Sequence, residues 1–326
     1  MKRWALFLGV GVVLLAGVFV ALGGASVLKP KDELAELNLK VLQLRVAQQF
    51  DEALPLAERA VGMARSRAGE ESEAYVTAVT SLGEIERDRR RFSDAEPLLK
   101  AALAINEKVH GPDHVETGRS LMLLASLDLQ QKRFDDAEPL LLRARAIFGR
   151  TEGPQGPNTT WAMNGLAEVY SARGRVDEAA ALYGATLAAQ KAQWGAENET
   201  IVFALQRLVD VYASHGRYQE AEPYALQRLA LSEKLNEKSP DGLGLALSLV
   251  HLAELYNAQN RAGEAEPRLK RAVALAEGAG PRKLRDMVLA DSLEALAATE
   301  SALGRPDAAK PLSVRASGLR ARLAQR

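Results

Sequence analysis

The sequence predicts an all-α protein, a solenoid of antiparallel helix pairs that follows an N-terminal transmembrane helix. Two observations predict the helix pairs: a segment containing Ala-Glu-Pro returns at a near-fixed interval, and apolar residues before it recur three and four positions apart. A third observation predicts the transmembrane helix, because residues 4–28 contain no charged side chain.

The repeat is clearest when the segments are aligned on the alanine of Ala-Glu-Pro, which we call the phase alanine. Successive phase alanines are 42, 42, 42, 42, 44 and 44 residues apart. Seven units at such a regular interval indicate a repeat architecture rather than separate globular domains. The phase alanines are Ala53, Ala95, Ala137, Ala179, Ala221, Ala265 and Ala309.

The residues before each phase alanine predict a first helix with one buried stripe. Six units carry leucine thirteen positions before it, and a small residue usually follows, which allows a second helix to approach closely. Tyrosine follows four positions later in the middle units. The leucines are Leu82, Leu124, Leu166, Leu208, Leu252 and Leu296, and the tyrosines are Tyr170, Tyr212 and Tyr256.

The phase alanine is expected to open a second helix. A proline such as Pro97 then lies in the opening turn or just inside it, where few backbone donors have an intrahelical partner. Acidic residues nearby complement the dipole of a helix N-terminus. Polar loops rich in Gly and Pro, such as residues 153–158, separate the units. We therefore expect fourteen helices.

The N-terminal segment favours a membrane anchor over the two alternatives. Its 25 uncharged residues exceed the ~20 that a helix needs to cross a bilayer, and they are too many for the apolar region of an ordinary cleavable signal peptide. A cleaved signal remains open, and nothing polar marks the solvent face of a buried soluble helix. The Lys/Arg counts on the two sides are tied, and the free amino terminus favours an N-terminus in the cytoplasm.

The resulting location is a single-pass, membrane-anchored protein with the bulk of the chain extracytoplasmic or periplasmic. The lipid bilayer is then a partner through residues 4–28. Gly17 and Ala21 form a small-xxx-small pair, a weak indication of self-association.

Composition excludes several classes of function. Lys plus Arg equals Asp plus Glu, so the basic footprint of a nucleic-acid-binding protein is absent, and the arginines of residues 86–92 are diluted by acids at a helix end. The absence of cysteine excludes disulfides and thiolate metal sites.

An enzyme is the rival class. His110 and His114 have the spacing of a helical metal pair, but Gly111-Pro112 breaks the helix that such a pair needs. No metal, cofactor or catalytic residue is expected.

The phased pattern resembles the tetratricopeptide repeat (TPR) family, with Leu166, Ala167 and Tyr170 matching the signature of the first helix. The 42-residue interval and the AEPLL segment are similar to the kinesin-light-chain subtype. The resemblance implies a right-handed superhelix of about seven repeats within residues 29–326, after an anchor at residues 1–28. The repeats are expected near residues 33–70, 75–112, 116–153, 159–196, 200–238, 244–279 and 287–322.

The resemblance also implies a binding site on the first helices, which line the concave face in this family. Trp161 and Phe203 occupy the same repeat position and could form an apolar platform, with packing between units as the alternative. Only Asn164 matches the asparagines with which relatives clamp a peptide backbone, and no lysines match a carboxylate clamp. The candidate partner-binding residues are Trp161, Asn164, Glu168, Phe203, Gln206, Arg207, Asp210, His251, Glu254 and Asn257.

The predicted function is therefore a membrane-tethered TPR scaffold that binds proteins or peptides through its concave groove. A cytoplasm-facing adaptor of the same fold is the alternative.

Overall fold

The computed structural model describes residues 33–280 and 282–325, and this part of the chain is helical throughout, with short turns and loops. Its fourteen helices confirm the all-α class and the predicted number of elements. They are α1 (Glu33–Val46), α2 (Phe50–Ala68), α3 (Glu73–Asp88), α4 (Phe92–His110), α5 (Val115–Gln130), α6 (Phe134–Thr151), α7 (Pro157–Ala172), α8 (Val176–Trp194), α9 (Glu199–Ala213), α10 (Tyr218–Lys238), α11 (Leu243–Ala258), α12 (Ala262–Gly278), α13 (Lys283–Ala302) and α14 (Pro306–Ala324).

The helices fall into two compact units, with the boundary between Ile147 and Phe148. In the first unit, α1 to α5 pack around small and aliphatic side chains. In the second unit, α7 to α14 enclose two larger apolar clusters. The signature residues of the first helices lie in these cores: Leu166 and Ala167 are fully buried.

Close approach of the two helices of a pair depends on the small residue after the signature leucine. A Cβ atom placed on Gly83 of α3 would lie 2.9 Å from Leu99 Cδ2 of α4, too close for an ordinary contact. The second pair is therefore tight enough at this point to favour glycine, and alanine serves at the equivalent position in four other pairs.

Each pair turns through one residue in the left-handed conformation, at the same place in all seven pairs. This residue is Gly174, Gly216 or Gly304 in three pairs and has a side chain in the other four, at Gln48, Arg90, Lys132 and Asn260. In the third pair Arg133 N–H bonds to the Asp128 carbonyl at 2.8 Å and Lys132 N–H bonds to Leu129 at 3.0 Å. These bonds form a Schellman motif, which satisfies carbonyls at the end of the first helix.

Lys132→Gly is expected to raise the free energy of unfolding by about 1 kcal/mol, because the left-handed conformation costs a residue with a Cβ roughly that much. Lys132 is exposed and has φ of 59°. Chemical denaturation of the full chain measures the change. Gly174→Ala is the matched reverse substitution and should lower stability by a similar amount. A destabilised Lys132→Gly variant would contradict this account of the turn.

The second helices begin earlier than the sequence analysis predicted. In the second pair α4 begins at Phe92, so the phase alanine Ala95 is its fourth residue and Pro97 is its sixth. Proline at that depth removes one backbone hydrogen bond, to the carbonyl of Ser93. The prediction that the phase alanine opens the second helix was wrong, while Pro97 lies just inside the opening turn. Five other second helices contain proline at the same position, at Pro55, Pro139, Pro223, Pro267 and Pro311.

The residue after each turn is an arginine in six pairs, and its side chain contacts the end of the preceding helix. In the middle pairs it stacks on the signature tyrosine, with the Arg175 guanidinium carbon 3.8 Å from the centroid of Tyr170. Arg217 and Arg261 stack in the same way on Tyr212 and Tyr256. In the last pair Glu300 replaces the tyrosine, and Arg305 pairs with its carboxylate at 3.1 Å. Such stacking contributes about 0.5–1 kcal/mol at partly exposed sites.

These arginines also bind the preceding helix pair within each compact unit. The glutamate after the phase alanine accepts an ion pair from the arginine of the next pair. The distances are 2.9 Å for Arg133–Glu96, 2.6 Å for Arg261–Glu222 and 2.9 Å for Arg305–Glu266. Hydrogen bonds from Arg305 and then Lys270 lower the pKa of Glu266 to about 2. The recurring Arg and Glu therefore join neighbouring repeats, a role that the sequence pattern alone did not assign.

The predicted single-pass membrane location is wrong for the part of the protein that the structure describes. None of the helices within residues 33–280 and 282–325 combines the length and apolar character that a membrane span needs. The segment at residues 4–28, on which the prediction rested, lies outside the described residues. The boundary between residues 1–28 and 29–326 stays a prediction for the same reason.

Candidate functional site

The ten residues predicted to bind a partner lie on three first helices of the second unit, α7, α9 and α11. Phe203, Arg207 and Glu254 are exposed, and Phe203 keeps 52% of its surface open to solvent. The other seven are half-buried: Trp161, Asn164, Glu168, Gln206, Asp210, His251 and Asn257. The face is therefore partly open, with most of its polar side chains set below the surface.

The predicted aromatic platform does not form as a ring–ring contact. Trp161 of α7 is half-buried while Phe203 of α9 is exposed, and among the described residues no ring stacking joins them. The two rings share a repeat position but differ in environment, and Phe203 alone presents a large apolar surface to solvent.

A buried polar cluster lies beside Phe203, and its first members are on α9. Gln206 Nε2 donates a hydrogen bond to Asp210 Oδ1 at 2.6 Å. Burial raises the pKa of the Asp210 carboxyl, while the bond from Gln206 and the charges of Arg207 and Arg228 oppose the shift. Desolvation outweighs these partners, so the Asp210 carboxylate is held in an environment that disfavours its charge.

The cluster extends to α7 and α8 through Glu168 and Tyr183. Burial raises the pKa of Glu168, and the positive charge of Arg207 on α9 only partly offsets it. Burial also raises the pKa of Tyr183, whose ring packs in the core of the second unit. Arg207 is thus the nearest compensating charge for the carboxylate of the preceding repeat.

Arg228 of α10 is the member that the sequence analysis missed, because only first helices were considered. Its side chain is buried, with 6% of its surface exposed. Desolvation lowers the pKa of Arg228 to about 10, although the charge of Asp210 opposes the shift. The repeat alignment contained a signal for this residue, because Arg228 lies seven positions after its phase alanine. At the same position the other six repeats hold Ala60, Ala102, Ala144, Thr186, Ala272 and Ala316.

His251 of α11 completes the buried polar cluster, which we define as the buried Arg228, the half-buried Glu168, Gln206, Asp210 and His251, and Arg207 at its exposed edge. Desolvation, followed by repulsion from Arg228, lowers the pKa of His251 to about 3, so its imidazole is neutral at physiological pH. Asn257, another predicted residue on α11, is engaged within the fold, since its Nδ2 donates to Thr299 Oγ1 of α13 at 2.8 Å.

Three atoms of the cluster are buried without a hydrogen-bond partner among the described residues. They are Gln206 Oε1, Arg228 Nε and His251 Nδ1. Buried polar atoms are nearly always hydrogen-bonded, and leaving one unpaired costs about 1–3 kcal/mol. Three of the ten such atoms among the described residues therefore lie on α9, α10 and α11, beside the exposed Phe203, and this combination makes the region a candidate binding site.

The two histidines considered for metal binding are neighbours but use their rings otherwise. His110 and His114 stack with ring centroids 4.8 Å apart. His114 is the N-cap of α5, and its Nδ1 accepts the backbone N–H of Glu116 at 3.2 Å. Across the described residues no three His, Cys, Asp or Glu side chains are grouped as a metal site would require.

The described helices have a helical-repeat fold of the tetratricopeptide type. Two tetratricopeptide repeat models match the sequence, one over residues 74–148 and 121–192 and the other over residues 204–239. The chain therefore contains tetratricopeptide repeats, as the sequence pattern predicted. No curated protein matches the sequence.

Several solved structures share the fold at low sequence identity. BtubC from P. vanneervenii is 22% identical with a TM-score of 0.59, covering 72% of this chain and 94% of its own. A second structure is a Podosopora anserina protein described by the terms kinesin light chain and nearly identical TPR-like repeats. It is 23% identical with a TM-score of 0.57, and the match covers 63% of this chain and 96% of the other. The apo form of RapI is 14% identical with a TM-score of 0.61, and the match covers 90% of this chain and 100% of RapI. At these identities the likeness establishes the fold.

Proposed function

We propose that this protein is a scaffold that binds a protein or peptide partner through the faces of α7, α9 and α11, without catalysis. The fold is typical of protein-interaction scaffolds, and NprR of B. thuringiensis, described as a quorum sensor, shares it at 13% identity with a TM-score of 0.54. The observation that carries the proposal is the buried polar cluster beside the exposed ring of Phe203.

The chemistry of this face suits binding better than structural support. A large exposed ring next to arginine and partly buried polar groups is the composition of an interface hot spot. A partner that covers Phe203 would remove apolar surface from water, and its polar groups could satisfy atoms that the fold leaves unpaired.

Phe203→Ala is expected to weaken partner capture about tenfold or more, as truncation of a hot-spot aromatic does. Because the ring is largely exposed, the melting temperature and helical content should remain close to those of the unmodified protein. Quantitative affinity purification from cells of the source organism, followed by mass spectrometry, measures the capture.

Leu226→Ala is the matched control, because Leu226 is an exposed apolar residue on α10, the second helix of the same pair. It should leave capture unchanged. Equal retention of every partner by the two variants would contradict the assignment of the first-helix face. Trp161→Ala tests the other predicted ring and should weaken capture if that half-buried side chain also contacts the partner.

A further inference from the structure

We propose that Arg228 is the anchor for a side-chain carboxylate of a peptide that binds across α9 and α11. This inference deepens the proposed function and rests on it. It assigns the chemical class of the ligand group, an Asp or Glu side chain, and a residue on a second helix that receives it.

The first argument is the hydrogen bonding of Arg228. A guanidinium carries five N–H donors in a fixed planar fork. Among the described residues none of these donors forms a hydrogen bond to a protein group, and no carboxylate lies within 4.0 Å of the side chain's nitrogens. Asp210 is the nearest opposing charge and influences Arg228 only over a longer distance. The guanidinium is therefore without a hydrogen-bonding or ion-pair partner among the described residues, and its Nε is buried.

The second argument is the register of the repeat. Seven positions after the phase alanine, five of the other six repeats have alanine and one has threonine. The fold itself therefore requires only a small side chain at the position of Arg228. A buried arginine without a close partner destabilises the folded state. Arg228 stands where most other repeats have alanine. A residue that lowers stability at such a position is expected when it serves binding.

The third argument selects a carboxylate over other acceptors. Arginine recognises carboxylates and phosphates through two parallel hydrogen bonds. Asp210 and Glu168 lie in the same cluster and would repel a doubly charged phosphate more strongly than a singly charged carboxylate. His251 Nδ1 can accept or donate according to its tautomer, and a peptide N–H is a suitable donor for Gln206 Oε1.

The position of the cluster gives such a ligand access. Phe203 and Arg207 are exposed on the same face of α9, one turn apart, and Gln206 and Asp210 are half-buried beside them. A peptide that covers Phe203 would lie on the side of α9 that carries Asp210, whose charge acts on Arg228, and its acidic side chain would approach Arg228 from there. This arrangement predicts that the ligand is read by an internal acidic residue and needs no free C-terminus.

The experiment uses an array of paired heptapeptides that differ only by Glu or Gln at the central position, all with amidated C-termini. The labelled full-length chain is the probe, alongside its Arg228→Met, Arg228→Lys and Arg271→Met variants. Arg271 is an exposed arginine of α12 that pairs with Glu233 at 2.7 Å, so its variant controls for loss of one positive charge.

The expected result is a preference of about tenfold or more for the Glu member of the pairs that bind best, as a charge-assisted hydrogen bond provides. The preference should disappear in Arg228→Met, weaken in Arg228→Lys, which loses the fork, and persist in Arg271→Met. The Lys variant keeps the test decisive even if the Met variant folds poorly.

Three results would overturn the inference. Equal binding of the Glu and Gln members by the unmodified chain would show that peptides bind without carboxylate recognition, which leaves the proposed function intact. Binding of no peptide at all would also remove the inference, and the proposed function would then depend on the capture experiment with Phe203→Ala. Persistence of the Glu preference in Arg228→Met would assign recognition to another residue.

Discussion

Arg228→Met is expected to raise the free energy of unfolding by about 1–3 kcal/mol, because it removes a buried polar group that has no hydrogen-bond partner. The guanidinium is buried, its pKa is lowered to about 10, and no carboxylate of the described residues lies within ion-pair distance. Methionine fills similar space and needs no hydrogen bonds. Urea denaturation of the full chain at neutral pH measures the difference.

Arg271→Met is the matched control and should change stability by less than about 1 kcal/mol, because its ion pair with Glu233 is exposed. A loss of stability in Arg228→Met would mean that Asp210 stabilises the fold through Arg228. Asp210→Asn would then lose the same amount, and the double variant would lose no more than either single one. That outcome would make the buried polar cluster a structural feature.

His251 is expected to make the protein lose about 2 kcal/mol of stability between pH 7.5 and pH 5.0. Its pKa is about 3 in the folded chain and 6.5 for an unperturbed imidazole, so the unfolded chain binds the proton more tightly. The stability is therefore fully present above pH 6.5 and is lost as the pH falls towards 3. Protonation of Asp210 and Glu168, whose pKa values are raised, acts in the opposite direction.

His251→Leu isolates this contribution, because the carboxylates remain in both proteins. The free energy of unfolding is measured by denaturation at pH 7.5 and at pH 5.0 for both proteins. The decrease between the two pH values should be smaller in the variant than in the unmodified chain, by about 2 kcal/mol. Phe203→Ala removes no titratable group and should retain the original pH dependence. Identical pH dependence in His251→Leu and the unmodified chain would refute the burial of a neutral imidazole.

The repeat architecture could be predicted from the sequence because each unit repeats the same pattern of burial. Leu166 and Ala167 recur in register, and periodicity alone places such residues in a core. The start of the second helices was misplaced because the phase alanine was taken as the first residue. The helix begins earlier, at Phe92, directly after a turn set by a left-handed conformation at Arg90 that this residue type rarely adopts.

The candidate site was only partly predictable for a different reason. Its first-helix residues follow from the resemblance, but Arg228 reaches them from a second helix, and contact between helices is not encoded by spacing along one helix. Comparison of equivalent positions would have found it, since Arg228 replaces alanine. The unpaired atoms could not be predicted, because hydrogen bonding depends on distances between side chains of different repeats.

The ion pairs between neighbouring repeats have a consequence for how such a chain can change length. At four junctions the arginine of one helix pair meets an acidic residue of the pair before it, as Arg261 does with Glu222 and Arg305 does with Glu266. A duplicated unit inserted beside its parent would find both complementary groups already in place. Where Ala180 replaces the glutamate, Asp177 receives Arg217 instead, so even the altered junction keeps its polarity. Gene duplication can thus lengthen the array without inventing a new junction.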